Sequence, residues 1–95
     1  MPEVRVLGGL RRVFGSSTVR ARASAVGELL EELAQRGGAP AMALLFEKGG
    51  ALPNRDLRIL VNGRSIAFLE GLETELGDED AVTLHFTGAR GFPGG

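Results

Sequence analysis

The sequence contains no cysteine, one histidine and one lysine among its 95 residues. The absence of cysteine excludes disulfides, thiolate metal ligands and a cysteine nucleophile, so any sulfur chemistry must use sulfur supplied by another molecule. A single histidine cannot complete a histidine metal site, and no convincing serine–histidine–acid triad can be assembled around it. We therefore expect no intrinsic catalysis, no metal site and no bound cofactor.

Long apolar runs are also absent. No stretch approaches the ~20 residues of a membrane-spanning helix, and residues 1–15 lack the charged, apolar and small-residue order of a signal peptide. The net charge of −1 gives no overall electrostatic attraction to nucleic acid. We expect a cytoplasmic protein with neither a membrane nor a nucleic-acid partner.

The composition is that of one ordinary globular domain, with 43% apolar and 24% charged residues. The charges are unevenly distributed. Arginines crowd the first quarter, at Arg5, Arg11, Arg12, Arg20 and Arg22, whereas acidic residues crowd 70–80. Each patch is either a solvated face or a surface that a partner recognises.

Two short segments near the N-terminus alternate apolar and polar residues, which is the period of a half-buried strand. They are residues 3–9 and 18–23. A turn at residues 15–17 separates them, so we predict an antiparallel hairpin with a rather long connection.

A long amphipathic helix is predicted next, because apolar residues recur at helical spacing. They are Val26, Leu29, Leu30, Leu33 and Ala34. Ser24 is the expected N-cap, and Gly37 sits where a left-handed C-terminal cap is expected. Pro40 then opens a second, short helix over residues 40–46.

The second half of the chain predicts strands over residues 57–61, 64–68 and 81–86, with a tight turn at Asn62–Gly63 between the first two. Two strands, a helix and further strands define the α+β class. We expect a mixed sheet of four to five strands with the main helix across one face. The first and last strands lie parallel in its centre, and the other face stays available for a partner.

The stretch VNGRSIAFLEGLETELGDEDAVTLHF, followed by a tail that ends in Gly94–Gly95, resembles the MoaD/ThiS group of ubiquitin-related sulfur carriers. MoaD, the small subunit of molybdopterin synthase, is the most similar member, and the chain also resembles small archaeal ubiquitin-like modifiers. The segment VLGGLRRVFG is similar to the family's first strand and turn. The resemblance implies a β-grasp (ubiquitin-like) domain over residues 1–87 and a flexible tail over residues 88–95.

The resemblance also implies a function. In the family, a MoeB/ThiF-like adenylating enzyme uses ATP to activate the terminal carboxylate, here that of Gly95, which then becomes a thiocarboxylate. The sulfur passes to a molybdopterin synthase large subunit or to another acceptor. Gly94 and Gly95 would leave a backbone thin enough to enter a narrow nucleotide site. The chain itself would be a carrier and not an enzyme.

Some of the candidate partner-binding residues follow from the same resemblance. Leu7 and Arg11 match family positions that face partner enzymes, and His85 replaces an apolar residue there. Phe86 is a further candidate. Phe92 departs from the family's usual tail and is a candidate because it is an apolar side chain in an otherwise bare tail. Alternatives remain open for several of them, because His85 and Arg11 also fit plain surface positions and Phe92 also fits an anchor folded onto its own domain.

Two other functions stay open. The tail TGARGFPGG is longer than the family's usual ending and carries Arg90 and Phe92, which is compatible with another acceptor or with a ubiquitin-like modifier joined to target lysines through Gly95. Lys48 is then the candidate acceptor for chains of the protein itself. The third reading is a β-grasp interaction domain with an inert, frayed Gly–Gly tail.

Overall fold

A computed structural model of the chain describes residues 1–50 and 52–86, which form an open mixed sheet covered on one face by a long helix. The strands of this part of the chain are β1 (Glu3–Val6), β2 (Thr18–Arg20), β3 (Leu57–Val61), β4 (Arg64–Ser65) and β5 (Ala81–Phe86). The helices are α1 (Gly9–Phe14) and α2 (Val26–Leu45), with 3₁₀ turns at Ile66–Phe68 and Gly71–Glu73. The described residues thus have the α+β, ubiquitin-like architecture predicted from the sequence.

The five strands lie in the order β2-β1-β5-β3-β4. β1 and β5 are parallel neighbours, with Val4 beside Val82 and Val6 beside Leu84. The other pairs are antiparallel. A parallel pair needs a crossover connection, and α2 lies within the connection between β1 and β5. The predicted placement of the first and last strands is confirmed.

The core lies between α2 and one face of the sheet. Residues that alternate along the strands are fully buried there, among them Val4, Val6, Val82 and Leu84. The predicted helical stripe, Val26, Leu29, Leu30, Leu33 and Ala34, is buried against them. Burial of this apolar surface is the main stabilising term for a domain of this size.

The predicted first strand, residues 3–9, is too long. β1 ends at Val6, Gly8 adopts φ 65°, and Gly9–Phe14 form α1 instead of an irregular connection. Leu10 of this helix is completely buried, and Val13 and Phe14 pack against the core. These three residues have i, i+3, i+4 spacing, so the apolar face of α1 explains why a helix replaces the end of the predicted strand.

The second strand is also shorter than predicted, since β2 ends at Arg20 and not at residue 23. The predicted N-cap Ser24 is wrong. Ala25 occupies the cap position of α2 with no side-chain cap. The Ser24 N–H and hydroxyl both donate to Glu28 Oε1, at 3.1 and 3.0 Å, while the Val26 N–H donates to the Thr74 carbonyl at 3.0 Å. The first N–H of α2 therefore donates to a backbone carbonyl of the neighbouring turn and not to a serine side chain.

The predicted C-cap at Gly37 is displaced by one residue. Gly38 has φ 73° and ψ −157°, a non-helical break within α2. Gly37 is needed for another reason, because a Cβ there would lie 2.5 Å from Ala41 Cβ and 3.0 Å from Val13 Cγ1. The predicted short helix after Pro40 is the second half of α2, and it ends at Leu45.

The strand predicted over residues 64–68 is confirmed only for its first two residues. Asn62 and Gly63 both have positive φ, 53° and 86°, as a two-residue hairpin turn of this type requires. β4 then ends at Ser65, and Ile66–Phe68 turn away as a 3₁₀ segment. The bounds predicted for β3 and β5 are both confirmed.

Candidate functional site

The sheet face that points away from α2 forms the candidate docking surface, which we call the outer face. Its residues alternate with the core residues along β1, β3 and β5, and they are Glu3, Arg5, Arg58, Leu60, Ala81, Thr83 and His85. The register places Arg5 beside Thr83 and Arg58 beside His85. Because no described helix covers this face, its side chains are available to a partner.

Leu7 and His85 lie at the end of the outer face where β5 leaves the sheet. The parallel ladder of β1 and β5 ends at the pair Val6 and Leu84, and Leu7 and His85 are the next residue of each segment. Leu7 is 39% exposed, and His85 is half-buried. The two predicted partner residues thus come directly after neighbouring positions of β1 and β5. Their role in binding stays a prediction.

Exposed basic residues lie on the first elements of the chain. Arg11 and Arg12 are exposed on α1, which follows Leu7, and Arg5 is exposed on β1, whereas Arg20 of β2 pairs with Glu3 at the far end of β1. None of these four side chains forms an ion pair with the part of the chain that the structure describes. Each of these arginines is therefore available to an acidic partner surface.

The other two candidates among the described residues lie elsewhere. Phe86 is half-buried, pairs with Leu57 and packs against the core, so it lies on the opposite sheet face from His85. Lys48 is exposed in the loop after α2. The structure therefore does not bring Phe86 or Lys48 together with the outer-face residues, although the exposure of Lys48 is what a conjugation acceptor needs.

A hydrogen-bonded clasp fixes the start of β5. The Gly77 N–H and the Asn62 amide donate to the two Asp80 carboxylate oxygens at 2.7 and 2.9 Å, and the Ala81 N–H donates to Asn62 Oδ1 at 2.9 Å. The bond from Gly77, followed by that from Asn62, holds the pKa of Asp80 below its ordinary value of 3.8. Asp80 is thus a structural residue, and its bond to Asn62 ties the start of β5 to the turn after β3.

The predicted reactive and anchoring residues Gly94, Gly95 and Phe92 lie outside the described residues, as does the boundary predicted between residues 87 and 88. Within residues 1–50 and 52–86, no group of three or more His, Asp or Glu side chains is arranged to hold a metal ion. Over the same residues, no helix has the length and apolar character needed to cross a membrane.

Sequence reasoning missed Arg58 of the outer face and placed Arg5 only in the basic patch near the N-terminus. Arg5 and Arg58 flank the central strand β5 from its two neighbours. The alternation in VRV and LRILV contained the signal, because each arginine stands between two buried residues of its strand.

The sheet order, the single long helix and the open outer face define a ubiquitin-like β-grasp domain. The family model for the ThiS family matches residues 4–84. The chain therefore belongs to the ThiS family, a group within the MoaD/ThiS-like, ubiquitin-related sulfur carriers and modifiers. Among proteins with curated functions, none matches the sequence significantly.

Solved structures agree with this assignment. The solution structure of small archaeal modifier protein 1 (SAMP1) from Methanosarcina acetivorans has 29% identity, a TM-score of 0.83 and 95% coverage of both chains. A chain of the Amycolatopsis orientalis BexX/CysO complex has 27% identity and a TM-score of 0.80, covering 96% of this chain and 100% of its own. A putative molybdopterin converting factor subunit 1 from Pyrococcus furiosus, at 22% identity, TM-score 0.66 and coverage of 92% and 97%, shares the fold.

Proposed function

We propose that this protein is a sulfur carrier whose Gly95 carboxylate is adenylated by a partner enzyme and converted to a thiocarboxylate. The observation that carries the proposal is membership of the ThiS family in a chain whose sequence ends in Gly94–Gly95. Neither feature is sufficient alone, because a fold hosts many functions and a glycine pair is common in a glycine-rich chain.

The chemistry explains why an activating partner is needed. A carboxylate is a poor acyl donor, since resonance and negative charge protect its carbon from nucleophiles. Attack of the Gly95 carboxylate on the α-phosphorus of ATP forms an acyl adenylate and releases pyrophosphate. Attack of hydrosulfide on the acyl carbon then releases AMP and leaves sulfur on Gly95. ATP is therefore a substrate of a MoeB/ThiF-like partner and not a cofactor of this chain.

The described domain supports a carrier that docks outside the enzyme. β5 ends at Phe86, and the nine residues from Thr87 to Gly95 reach about 30 Å when fully extended. Leu7 and His85, at one end of the outer face, and Arg11 on α1 are the candidate docking residues. Phe92 is a further apolar anchor in the proposed tail. The BexX/CysO complex, in which a relative is assembled with a partner, supports docking of this kind.

The sulfur acceptor is a molybdopterin synthase large subunit or another thiolation system. A second function is favoured by the similarity to SAMP1, a protein described as a modifier. An amine that attacks the same acyl adenylate yields an amide, which would join Gly95 to a target lysine or to Lys48 of another copy. Both functions need the same terminal carboxylate.

Mass spectrometry of the protein from its own host separates these functions. The chain is tagged at its N-terminus and recovered with anything attached to it. The intact mass establishes whether Gly95 is the terminal residue and whether one terminal oxygen is replaced by sulfur. After trypsin cleavage at Arg90, a modifier leaves GFPGG on target lysines.

A variant that lacks Gly94 and Gly95 is the matched control, and it should give neither product. Sulfur on free protein supports the carrier, and GFPGG branches support the modifier. The proposal fails if neither product forms in cells whose adenylating enzyme is shown to be active. In that case the non-conjugating interaction domain is the better account.

A further inference from the structure

A second candidate surface lies on the helix-bearing side of the molecule, away from the outer face. Here the 3₁₀ turn Gly71–Glu73 packs beside α2 and leaves a cavity of about 300 Å³. Its apolar lining comprises Leu30, Ala34, Met42, Phe46 and Leu72. We call this cavity and the depression next to it the Leu72 groove.

Two glycines shape the groove. A Cβ at Gly27 would lie 3.3 Å from the Leu72 carbonyl oxygen, so glycine allows the 3₁₀ turn to pack closely against α2. Gly38 breaks α2 and changes its direction before Met42 and Phe46. The shape of the groove therefore depends on two glycines, since Gly27 lets the 3₁₀ turn approach α2 and Gly38 bends α2.

The apolar lining of the groove is incompletely covered. Leu72 is 38% exposed and Met42 is 44% exposed, while Phe46 is half-buried. Exposed apolar side chains that surround a cavity, with a polar rim, are typical of an interaction site. On the described part of the outer face, by contrast, the residues beside Leu7 are mostly polar.

The rim of the groove next to the 3₁₀ turn is acidic, whereas a further depression beside Met42 and Phe46 is lined by both Glu47 and Lys48. The depression next to the cavity shares Gly27, Glu31 and Leu72 with it and is also lined by Glu28, Glu73 and Glu75. Neither part is lined by lysine or arginine among the described residues. Glu28 accepts hydrogen bonds from Ser24, but Glu31, Glu73 and Glu75 form no ion pair with any described residue.

The negative charge of these carboxylates indicates which class of molecule the groove can bind. Unpaired carboxylates repel nucleic acid and an anionic lipid surface, and they attract lysine and arginine. Apolar side chains at helical spacing reach along a groove of this kind, while basic side chains at neighbouring positions meet its rim. We propose that the Leu72 groove binds a basic amphipathic helix of a partner protein, with a large apolar side chain in the cavity. This proposal does not depend on the carrier function.

A synthetic helix tests the groove directly. The probe is a leucine- and lysine-containing peptide of about 15 residues with its leucines on one helical face. One control has the same composition in scrambled order, and another has glutamate in place of lysine. Binding to the full chain is followed by amide chemical shifts in NMR spectra and by calorimetry. We expect shifts centred on Gly27, Glu31 and Leu72, and weaker binding of both control peptides.

Variants separate the contribution of the apolar lining to binding of the probe from that of the acidic rim. Leu72→Ala and the double change Glu31→Lys with Glu73→Lys are each expected to weaken binding of the probe by about ten-fold or more. Leu52→Ala and Glu79→Lys are matched controls, since Leu52 is 66% exposed and neither residue lines the groove. Both controls should bind as the parent does.

The proposal is overturned if the scrambled peptide binds equally well, or if the shifts map to the outer face. It is also overturned if the charge reversals leave affinity unchanged. If Leu72→Ala fails to fold, the charge-reversal variant decides the question, because Glu31 and Glu73 are exposed and unpaired. Loss of thiocarboxylate formation would leave these results unaffected.

Discussion

The two faces of the sheet are built from the same strands but have different properties. Val4, Val6, Val82 and Leu84 are completely buried on the core face. Their immediate neighbours in sequence, such as Arg5, lie on the outer face. Because side chains alternate along a strand, buried core residues and outer-face residues are adjacent in sequence. Single substitutions one residue apart should therefore separate the stability of the fold from the proposed binding.

The largest expected effect comes from the core face. Leu84 is completely buried in β5, between Val6 and Ile59 in the sheet. Leu84→Ala removes apolar contacts and leaves a cavity, so we expect the free energy of unfolding to fall by about 2–5 kcal/mol. Urea denaturation followed by circular dichroism measures this change.

The adjacent outer-face residue is the control. Thr83→Ala alters the same strand but leaves the core unchanged, and we expect a change within about 0.5 kcal/mol. Similar losses of unfolding free energy for Leu84→Ala and Thr83→Ala would mean that burial on the core face does not decide which residues of β5 stabilise the fold.

The next effect concerns the helices that cover the core face. A Cβ at Gly37 would lie 2.5 Å from Ala41 Cβ and 3.2 Å from Phe14 Cζ. We expect Gly37→Ala to destabilise the fold by about 1–3 kcal/mol through overpacking against Ala41, across the break in α2, and against Phe14 of α1. Thermal unfolding measures the loss.

Gly9→Ala provides the matched comparison. Its Cβ would meet Leu44 Cδ1 at 3.1 Å, and the end of a leucine side chain can move aside. The smaller loss should therefore belong to Gly9→Ala. A larger loss there would show that the distance of the added Cβ from its neighbours does not decide which glycine is required.

Gly37 also shows which features of the fold could be predicted from the sequence and which could not. The glycine pair at positions 37 and 38 correctly marked an interruption of the helix, but composition could not assign the positive φ to Gly38 and the close packing to Gly37. The distinction depends on how α2 continues after its break, which brings Ala41 close to Gly37, and on the packing of α1. That helix was missed because its short apolar pattern directly follows a strand, and its glycines were interpreted as part of the strand and its connection.

Strong alternation predicted the other elements well. The bounds of β3 and β5 are as predicted, since each strand buries every second residue, and the stripe of α2 is buried as its spacing required. For the outer face, the parallel pairing of β1 and β5 was sufficient to predict that Leu7 and His85 follow neighbouring positions. The position of Arg58 beside His85 could not be predicted in the same way, because it depends on the register between β3 and β5, which local sequence does not determine.

A third prediction tests the outer face and rests on the proposed carrier function. Leu7 is 39% exposed at the end from which β5 leaves the sheet. Leu7→Asp would place a charge in the proposed apolar contact with the adenylating enzyme, so we expect thiocarboxylate formation to slow by about ten-fold, or about 1.4 kcal/mol. The rate is measured with limiting carrier, ATP and the partner enzyme.

Leu52→Asp is the matched control for this charge, because Leu52 is 66% exposed and lies outside the outer face. Its rate should equal that of the parent, and the unfolding curves of both variants should be unchanged. Equal rates for Leu7→Asp and the parent would assign docking to another surface while leaving the carrier function intact.

The smallest effect concerns the clasp at the start of β5, which supports both faces. Hydrogen bonds from Gly77 and Asn62 lower the pKa of Asp80 below 3.8 in the folded protein. A group whose pKa is lower when folded stabilises the protein above its unfolded pKa, and this contribution is lost as the pH falls through the folded value. The stabilisation from Asp80 is thus present at neutral pH and absent in strong acid.

Asp80→Asn should therefore have a lower melting temperature than the parent at about pH 7, and the difference should shrink below about pH 3. Thermal unfolding across this range measures it. Glu79→Gln removes a carboxylate from the same turn without breaking these hydrogen bonds, so it should not reproduce the pH-dependent difference. If both variants behave alike, net charge accounts for the acid sensitivity. If only Asp80→Asn shows the difference, the hydrogen bonds of the clasp account for it, and they stabilise the start of the strand that carries both Leu84 of the core and His85 of the outer face.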